Sequence, residues 1–138
     1  MVIRRRFHGR NGRAGMVKRA LNRFVPPLLL MAVIFFLSAQ PDLNSGLGAW
    51  DTGLRKLAHM VEFGLLWWLW WRALGFGSPV GAVLIAVAYA ASDEFHQSFV
   101  DGRIGSPFDV LIDAAGVAIA CLAALRLGKR RRAAGRAA

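Results

Sequence analysis

Long apolar blocks alternate with short polar segments along this chain. Within each block the apolar residues are nearly continuous, whereas a soluble core would interleave them with polar residues at helical or strand spacing. A helix of about twenty apolar residues is long enough to cross a bilayer. The pattern therefore predicts an all-α integral membrane protein, a four-helix bundle whose spans cover about residues 24–39, 56–76, 80–99 and 108–127.

Turn-forming residues lie between the blocks. Residues 40–55 are rich in Gly, Pro, Asn and Asp, and the second and third blocks are separated by Gly75, Gly77 and Pro79. The second and third helices should therefore form an antiparallel hairpin. The first block is short for a bilayer core of about 30 Å, so we expect its helix to begin further back, near Leu21.

A signal peptide is the competing interpretation of the first block. A basic stretch precedes the block, which ends in Leu37-Ser38-Ala39. Cleavage sites prefer small residues, and a bulky leucine would lie three residues before the cut. Three further apolar blocks follow, so a first membrane span is the favoured interpretation.

Basic residues lie mostly near the two ends of the chain, which has 18 Lys and Arg against 8 Asp and Glu and a net charge of +10. Positive flanks of membrane spans stay on the cytoplasmic side. We therefore expect basic cytoplasmic tails at residues 1–23, to which no fold is assigned, and 128–138. Nucleic acid is the alternative partner for such charge, but the basic runs lack interleaved aromatic residues and a recognisable binding fold. The predicted partner is the lipid bilayer, and no nucleic acid.

Four tryptophans and an arginine close the second span: Trp67, Trp68, Trp70, Trp71 and Arg72. Such a cluster is typical of an anchor at the level of the lipid headgroups. The arginine places this end on the cytoplasmic side, in agreement with the basic tails. The loops after the first and third spans should then face outward.

Polar residues concentrate at the predicted outward ends of the last three spans. They are Lys56, His59 and Glu62 on the second span, Asp93, Glu94 and Gln97 on the third, and Asp109 and Asp113 on the fourth. Lys56, His59 and Glu62 are three residues apart and share one broad face, Asp93 and Gln97 are in four-residue register with Tyr89, and Asp109 and Asp113 are four apart. Three helices therefore direct charged groups to one layer of the bundle.

Charged groups within a span are costly unless they pair or line a water-filled cavity, so their default interpretation is functional. Five of the eight acids lie in this layer, more than Lys56 and Arg103 can neutralise. Some of the acids must therefore share protons, bind a metal or bind a cationic ligand. The alternative is a polar network that only fixes the packing of the helices.

Candidate roles follow from the chemistry of each group. His59 beside an acid has the groups for proton exchange, and Lys56 with Arg103 suits a phosphate. The candidate catalytic residues are His59, Glu62, Asp93, Glu94 and Asp113, and the candidate substrate-binding residues are Lys56, Gln97, Arg103 and Asp109. His96 is expected only to pack at a helix interface.

No cofactor is assigned from the sequence, and a divalent metal stays open. The set that offers nitrogen and oxygen ligands suited to zinc, manganese or magnesium is His59, Glu62, Asp93 and Asp113. A dedicated motif such as His-Glu-x-x-His is not present. The lone Cys121 lies in an apolar run and excludes an intrachain disulfide.

The same polar residues form motifs that resemble the VanZ-like family, which is named for an accessory teicoplanin-resistance protein. The resemblance covers about residues 38–116 and rests on Ser38-Ala39-Gln40-Pro41, Lys56-x-x-His59-x-x-Glu62-Phe63, Asp93-Glu94-x-x-Gln97, Gly102-Arg103 and Asp109-x-x-x-Asp113-x-x-Gly116. Two positions depart from the family pattern, since Asp113 is often Asn there and Phe63 is often Tyr. The resemblance implies a four-helix domain in a bacterial plasma membrane, linked to the cell envelope and glycopeptide tolerance, without a settled reaction.

Three functions compete on these grounds. The leading hypothesis is an intramembrane site near the outer face that binds or modifies the headgroup of an envelope lipid or lipid-linked precursor. The second is a non-catalytic scaffold protein whose polar layer specifies helix packing. A proton or cation pathway ranks last, because the inner half carries almost no polar residues and the two halves show no inverted repeat. Whether the chain is an enzyme is left open.

Overall fold

The computed structural model describes residues 10–41, 49–103 and 105–137, and over these residues it contains four helices and no strand. The helices are α1 (Arg10–Ser38), α2 (Ala49–Ala73), α3 (Pro79–Gln97) and α4 (Pro107–Ala137). The prediction of an all-α chain with four helices is confirmed. Most of the predicted 40–55 loop lies outside the described residues or forms the first turns of α2.

The first and last helices of the chain, α1 and α4, are longer than the apolar blocks they contain. α1 begins at Arg10 and α4 continues to Ala137, so residues 10–23 and 128–137 are helical. Both segments are rich in Arg and Ala, which have high helix propensity. One consequence is that Pro26 and Pro27 lie well inside α1 and not in its first turn.

Local signals fix where α3 and α4 begin. The Ser78 hydroxyl accepts a hydrogen bond from the Gly81 backbone N–H at 3.0 Å, and Pro79 takes the first helical position. α4 starts in the same way, with Pro107 after Ser106, whose hydroxyl accepts from the Phe108 N–H at 3.1 Å. These caps set the two helix starts that border the polar residues.

Helices that follow one another in the chain alternate in direction. α2 and α3 form the predicted antiparallel hairpin, since the Trp67 indole N–H near the end of α2 donates to the Pro79 carbonyl at the start of α3. α2 and α4 run parallel, because Lys56 pairs with Asp109 near both starts and Gly64 lies against Gly116 further along. α1 and α3 are parallel as well. The ends of α1 and α3 and the starts of α2 and α4 therefore meet at one end of the bundle, here called the polar end.

Large residues from α1, α2 and α4 pack against small ones from α3 in the core. The buried cluster consists of Ile34, Phe63, Leu66, Trp67, Ala82, Ala86, Ala90 and Val117. The alanines recur every four residues, so they form one stripe along α3 that lets its neighbours approach closely. Tyr89 closes the side of this core by donating its hydroxyl to the Met31 carbonyl at 2.6 Å.

Large apolar side chains cover the outside of every helix. Leu29, Val61, Leu84 and Ile119, one from each helix, are each at least 60 % exposed. Two segments, Arg13–Ser38 and Pro107–Gly135, are long and apolar enough to cross a membrane. Only 11 % and 17 % of their apolar windows is buried, whereas the core helix of a soluble protein would be mostly buried. α2 and α3, which carry charged groups of the predicted site, do not meet that criterion.

Candidate functional site

The polar end of the bundle contains a pocket of about 250 Å³ between α2, α3, α4 and the loop that joins α3 to α4. We call it the polar pocket, and it is lined by Thr52, Arg55, Lys56, His59, Glu94, Gln97, Gly102, Arg103, Asp109, Ile112 and Asp113. All of these residues except Ile112 are polar or glycine, in contrast to the apolar core directly beyond them. The side chains therefore converge on one space.

The mouth of the pocket holds an ion pair. The Lys56 ammonium lies 2.8 Å from a carboxylate oxygen of Asp109, and both side chains are about one third exposed. The ammonium also lies 5.6 Å from the centre of the Phe108 ring, within range of a cation–π contact. Asp109 is in the first turn of α4, where the helix dipole favours a negative charge.

His59 and two buried acids face one another deeper in the pocket. The His59 Nδ1 lies 3.5 Å from Asp113 Oδ1, and the Asp113 side chain is only 2 % exposed. One donor atom from each of His59, Glu94 and Asp113 lies within 4.8 Å of the other two, so we call these three residues the triad. The second Asp113 oxygen, Oδ2, is buried and has no hydrogen-bond partner among the described residues.

Glu94 is held in the triad by the start of α4. Its Oε2 accepts a hydrogen bond from the Ser106 backbone N–H at 3.0 Å, and its Oε1 accepts a longer one, 3.4 Å, from Gln97. Gly105 lies directly against the Glu94 carbonyl, where a side chain would collide with it. A glycine at this position therefore lets the loop approach the end of α3.

A second hydrogen-bond network lies behind the pocket, between α1 and α3. The Asp93 Oδ2 accepts from the Ser38 hydroxyl at 2.7 Å and from the Gln97 amide at 3.0 Å. All three residues are buried, and the other Asp93 oxygen, Oδ1, has no partner among the described residues. This network joins the end of α1 to the wall of the pocket through Gln97.

Arg103 connects the loop to Gln97 and to the end of α1. Gly102 has a left-handed backbone, φ +77°, which turns the chain so that the next side chain reaches back over the helix ends. Arg103 donates to the Gln40 carbonyl at 2.9 Å, to Gln97 Oε1 at 3.2 Å and to the Leu37 carbonyl at 3.4 Å. These acceptors are neutral, although the sequence predicted that Arg103 together with Lys56 suits a phosphate.

Most of the predicted site residues lie around this pocket. Those that line it are Lys56, His59, Glu94, Gln97, Arg103, Asp109 and Asp113. The other two do not line it: Asp93 belongs to the network behind it, and Glu62 is half-buried one turn beyond His59. His96, expected only to pack, stacks on Phe35 with ring centres 4.1 Å apart.

Three polar side chains that contribute to the pocket or to the network behind it were not among the predicted site residues. Thr52 and Arg55 line the pocket because α2 begins at Ala49, so residues assigned to the loop continue the stripe of Lys56 and His59. The spacing of Thr52 four residues before Lys56 was the available signal. Ser38 was noted only as part of a motif, and a lone serine at the end of an apolar helix carries no sign of a buried partner.

The tryptophan cluster at the end of α2 is not a simple anchor. Trp67 is fully buried and stacks on Trp71 with ring centres 5.2 Å apart. Trp70 lies against Phe24 of α1, and of the four only Trp68 is classed as exposed. The interpretation of all four tryptophans as headgroup anchors is therefore wrong for Trp67.

Comparison with known proteins gives one family. The sequence profile described as VanZ/LLP1 matches residues 23–128, which include all four apolar blocks and every residue of the polar pocket. None of the curated proteins and none of the solved structures compared matches this chain.

Proposed function

Because the chain belongs to the VanZ/LLP1 family, we propose that it is a four-span membrane protein whose polar pocket binds the phosphate-bearing headgroup of an envelope lipid or lipid-linked precursor. The single observation that carries this proposal is the pocket itself. It gathers charged and hydrogen-bonding side chains from three helices inside a bundle whose outer surface is apolar.

The apolar exterior supports four membrane spans. Large exposed apolar side chains occur on all four helices, and a contiguous surface of this kind is rare on soluble monomers. α2 and α3 carry charges that would be costly in lipid. Other helices of the bundle supply partners for these charges: Lys56 pairs with Asp109 of α4, and Asp93 accepts a hydrogen bond from Ser38 of α1. We place the spans at about residues 24–39, 56–76, 80–99 and 108–127, so that the first three end one to three residues beyond their helices.

The distribution of basic residues supports cytoplasmic termini. Arg23 of α1 lies beside the turn after α2, close to Gly75, so the N-terminal basic segment and Arg72 share one end of the bundle. The basic run of Lys129 to Arg132 lies in the last part of α4, which runs parallel to α2, and so lies toward the same end. By the positive-inside rule this end faces the cytoplasm, and the polar end faces outward in the plasma membrane of a bacterium.

Two features favour a lipid over a soluble ligand. Lys56 and Arg103 bring positive charge to the pocket at the end of a membrane helix, the depth at which a phosphate headgroup lies. An apolar groove of about 460 Å³ lies between α2 and α4, two of the helices that form the polar pocket. It is lined by residues such as Leu57, Val61 and Ile119. An acyl chain has the shape and polarity for such a groove.

Reconstitution tests the proposal. Purified protein in phosphatidylcholine nanodiscs is titrated with short-chain phosphatidylglycerol and with an isoprenyl pyrophosphate, and binding and conversion are both measured. Saturable binding that Lys56→Gln and Arg103→Gln each weaken at least about tenfold supports it, whereas Arg126→Gln, at the other end of the bundle, is the charge-matched control. No binding of either lipid would count decisively against it. Conversion of a lipid would make the chain an enzyme, with His59 and Glu94 in reach of the ligand.

A scaffold function is the second candidate. The observation that favours it is the hydrogen-bond network of Ser38, Asp93, Gln97 and Arg103, which joins α1, α3 and the loop after α3. Two of its members, Ser38 and Asp93, do not line the polar pocket. If the polar layer only fixes packing, His59→Ala, Asp93→Asn and Arg103→Ala should lower folded yield and cellular function in parallel. A ligand site should instead lose function in protein that is still folded and inserted. The link to glycopeptide tolerance stays a prediction of family resemblance.

A further inference from the structure

Beyond lipid binding, we propose that the triad of His59, Glu94 and Asp113 binds one divalent transition-metal ion of the Zn²⁺ or Mn²⁺ type. The triad brings one donor atom from each of α2, α3 and α4 to within 4.8 Å of the others. This proposal concerns the ion alone and holds whether or not a lipid enters the pocket.

The donor spacing fits ligands that share an ion. Two ligands at about 2.1 Å from a metal lie roughly 3.4 Å apart in a tetrahedral site and about 4.2 Å apart when opposite in an octahedral one. The His59 Nδ1 and Asp113 Oδ1 are 3.5 Å apart, longer than a good hydrogen bond and close to the first of these values. Small side-chain movements therefore bring all three donors into range.

The surroundings of Asp113 point to a bound cation independently of the donor spacing. Its residue is 1 % exposed, it lines the pocket, and its Oδ2 has no hydrogen-bond partner among the described residues. A buried carboxylate oxygen without a partner keeps its full desolvation cost. Coordination of a cation removes that cost, because it supplies the positive partner that the protein groups around this oxygen do not.

Charge balance favours the same conclusion. Of the three carboxylates that line the pocket, Asp109 is paired with Lys56. Arg55 and Arg103 also line the pocket, and Arg103 donates to neutral acceptors. Within the triad itself, Glu94 and Asp113 face a single imidazole. A divalent cation neutralises both acids, while the Ser106 N–H on Glu94 orients one of the ligands from outside, as partners of metal-bound side chains commonly do.

The donor types narrow the choice of ion. One imidazole nitrogen with two carboxylates and no sulfur suits Zn²⁺ or Mn²⁺ better than Mg²⁺ or Ca²⁺, which prefer all-oxygen sites. Three protein ligands leave at least one coordination position toward the pocket. The ligand set differs from the one expected from the sequence, since Glu94 replaces Glu62 and Asp93.

Mn²⁺ binding to the full chain tests the site. Protein purified in detergent is treated with a chelator and dialysed, and free Mn²⁺ is then counted by electron paramagnetic resonance during a titration. We expect one Mn²⁺ per chain, displaced by Zn²⁺, and affinity at least about tenfold lower in Asp113→Asn and Glu94→Gln. Asp101→Asn removes an exposed acid of the adjoining loop and should bind as the parent does.

Pulsed resonance identifies the nitrogen ligand. Bound Mn²⁺ should show coupling to one ¹⁴N nucleus, and His59→Gln should abolish it while the helix content by circular dichroism stays that of the parent. Absence of stoichiometric binding to the parent chain, unchanged affinity in Asp113→Asn and Glu94→Gln, or nitrogen coupling that persists in His59→Gln would each overturn the proposal.

Discussion

Ser38, the last residue of α1, illustrates how one small side chain connects two helices. Its hydroxyl donates to the buried Asp93 carboxylate at 2.7 Å, and the residue is only 2 % exposed. Hydrogen bonds to buried carboxylates are among the stronger ones in proteins, and an acceptor that loses its donor keeps its desolvation cost. The end of α1 is therefore fixed against α3 by this contact.

Replacing Ser38 by alanine should destabilise the bundle by about 1–2 kcal/mol, because Asp93 loses a donor that water cannot replace. Ser92→Ala is the matched control, since that hydroxyl is exposed and bonds only within its own helix, to the Tyr89 carbonyl. Its cost should stay below about 0.5 kcal/mol. Reversible unfolding in mixed micelles, followed by circular dichroism, measures both, and equal costs would contradict the importance of the contact.

At the scale of the elements, the seam between α2 and α4 decides how the pocket is assembled. Gly64 and Gly116 lie face to face there, and a side chain on Gly116 would collide with the Met60 carbonyl and come 2.7 Å from the Met60 Cα. Close helix approach at small residues is the usual mode of packing in membranes. The same seam sets Lys56 opposite Asp109 and His59 opposite Asp113.

Gly116→Ala should therefore force the two helices apart, lower the unfolding free energy by about 1–3 kcal/mol and weaken any ligand of the pocket. Gly128→Ala in the same helix meets no atom within 4 Å and should be neutral or stabilising by up to about 1 kcal/mol through helix propensity. Thermal unfolding of both variants in detergent checks this. A Gly116→Ala protein as stable as the parent would mean that the helices do not approach so closely.

The elements also show what the sequence can predict. Continuous apolar blocks gave four helices and the hairpin, and three- and four-residue spacings gave the stripes that converge on the pocket. The spacing did not separate the residues that line the pocket from those behind it, because Glu62 and His59 share a broad face and Asp93 and Glu94 are adjacent. Which neighbour each side chain meets depends on helix rotation, which periodicity does not fix. The start of α1 and the end of α4 were not predicted for a different reason. Basic and alanine-rich segments continue these helices without any apolar signal.

At the scale of the whole molecule, the lateral surface of the bundle is apolar, one end is the polar end, and the opposite end is basic. The buried residues toward the basic end are apolar, among them Leu66, Trp67 and Ala82. Within the described residues no line of buried polar groups therefore continues from the pocket through the bundle, which disfavours a proton or cation pathway. The asymmetry instead suits a site that opens to one side.

Cysteine labelling tests that orientation. In a Cys121→Ser background, Ser98→Cys in the loop after α3 should react with a membrane-impermeant maleimide on intact cells or spheroplasts, because the proposed orientation places the polar end outward. Ala134→Cys near the end of α4 should react only after the membrane is permeabilised. The opposite pattern would place the pocket in the cytoplasm and exclude an outer-leaflet headgroup as its ligand.

Lipid retained by the purified chain gives the most direct test of the polar pocket as a ligand site. Native mass spectrometry of the parent protein, Arg103→Gln and Arg126→Gln, with the unfolding midpoint of each measured in the same detergent, separates binding from packing. We expect a phosphate-bearing lipid on the parent and on Arg126→Gln, and its loss from Arg103→Gln while that variant keeps a cooperative unfolding transition. Equal lipid retention by all three proteins, or loss of lipid only together with loss of the fold, would contradict it.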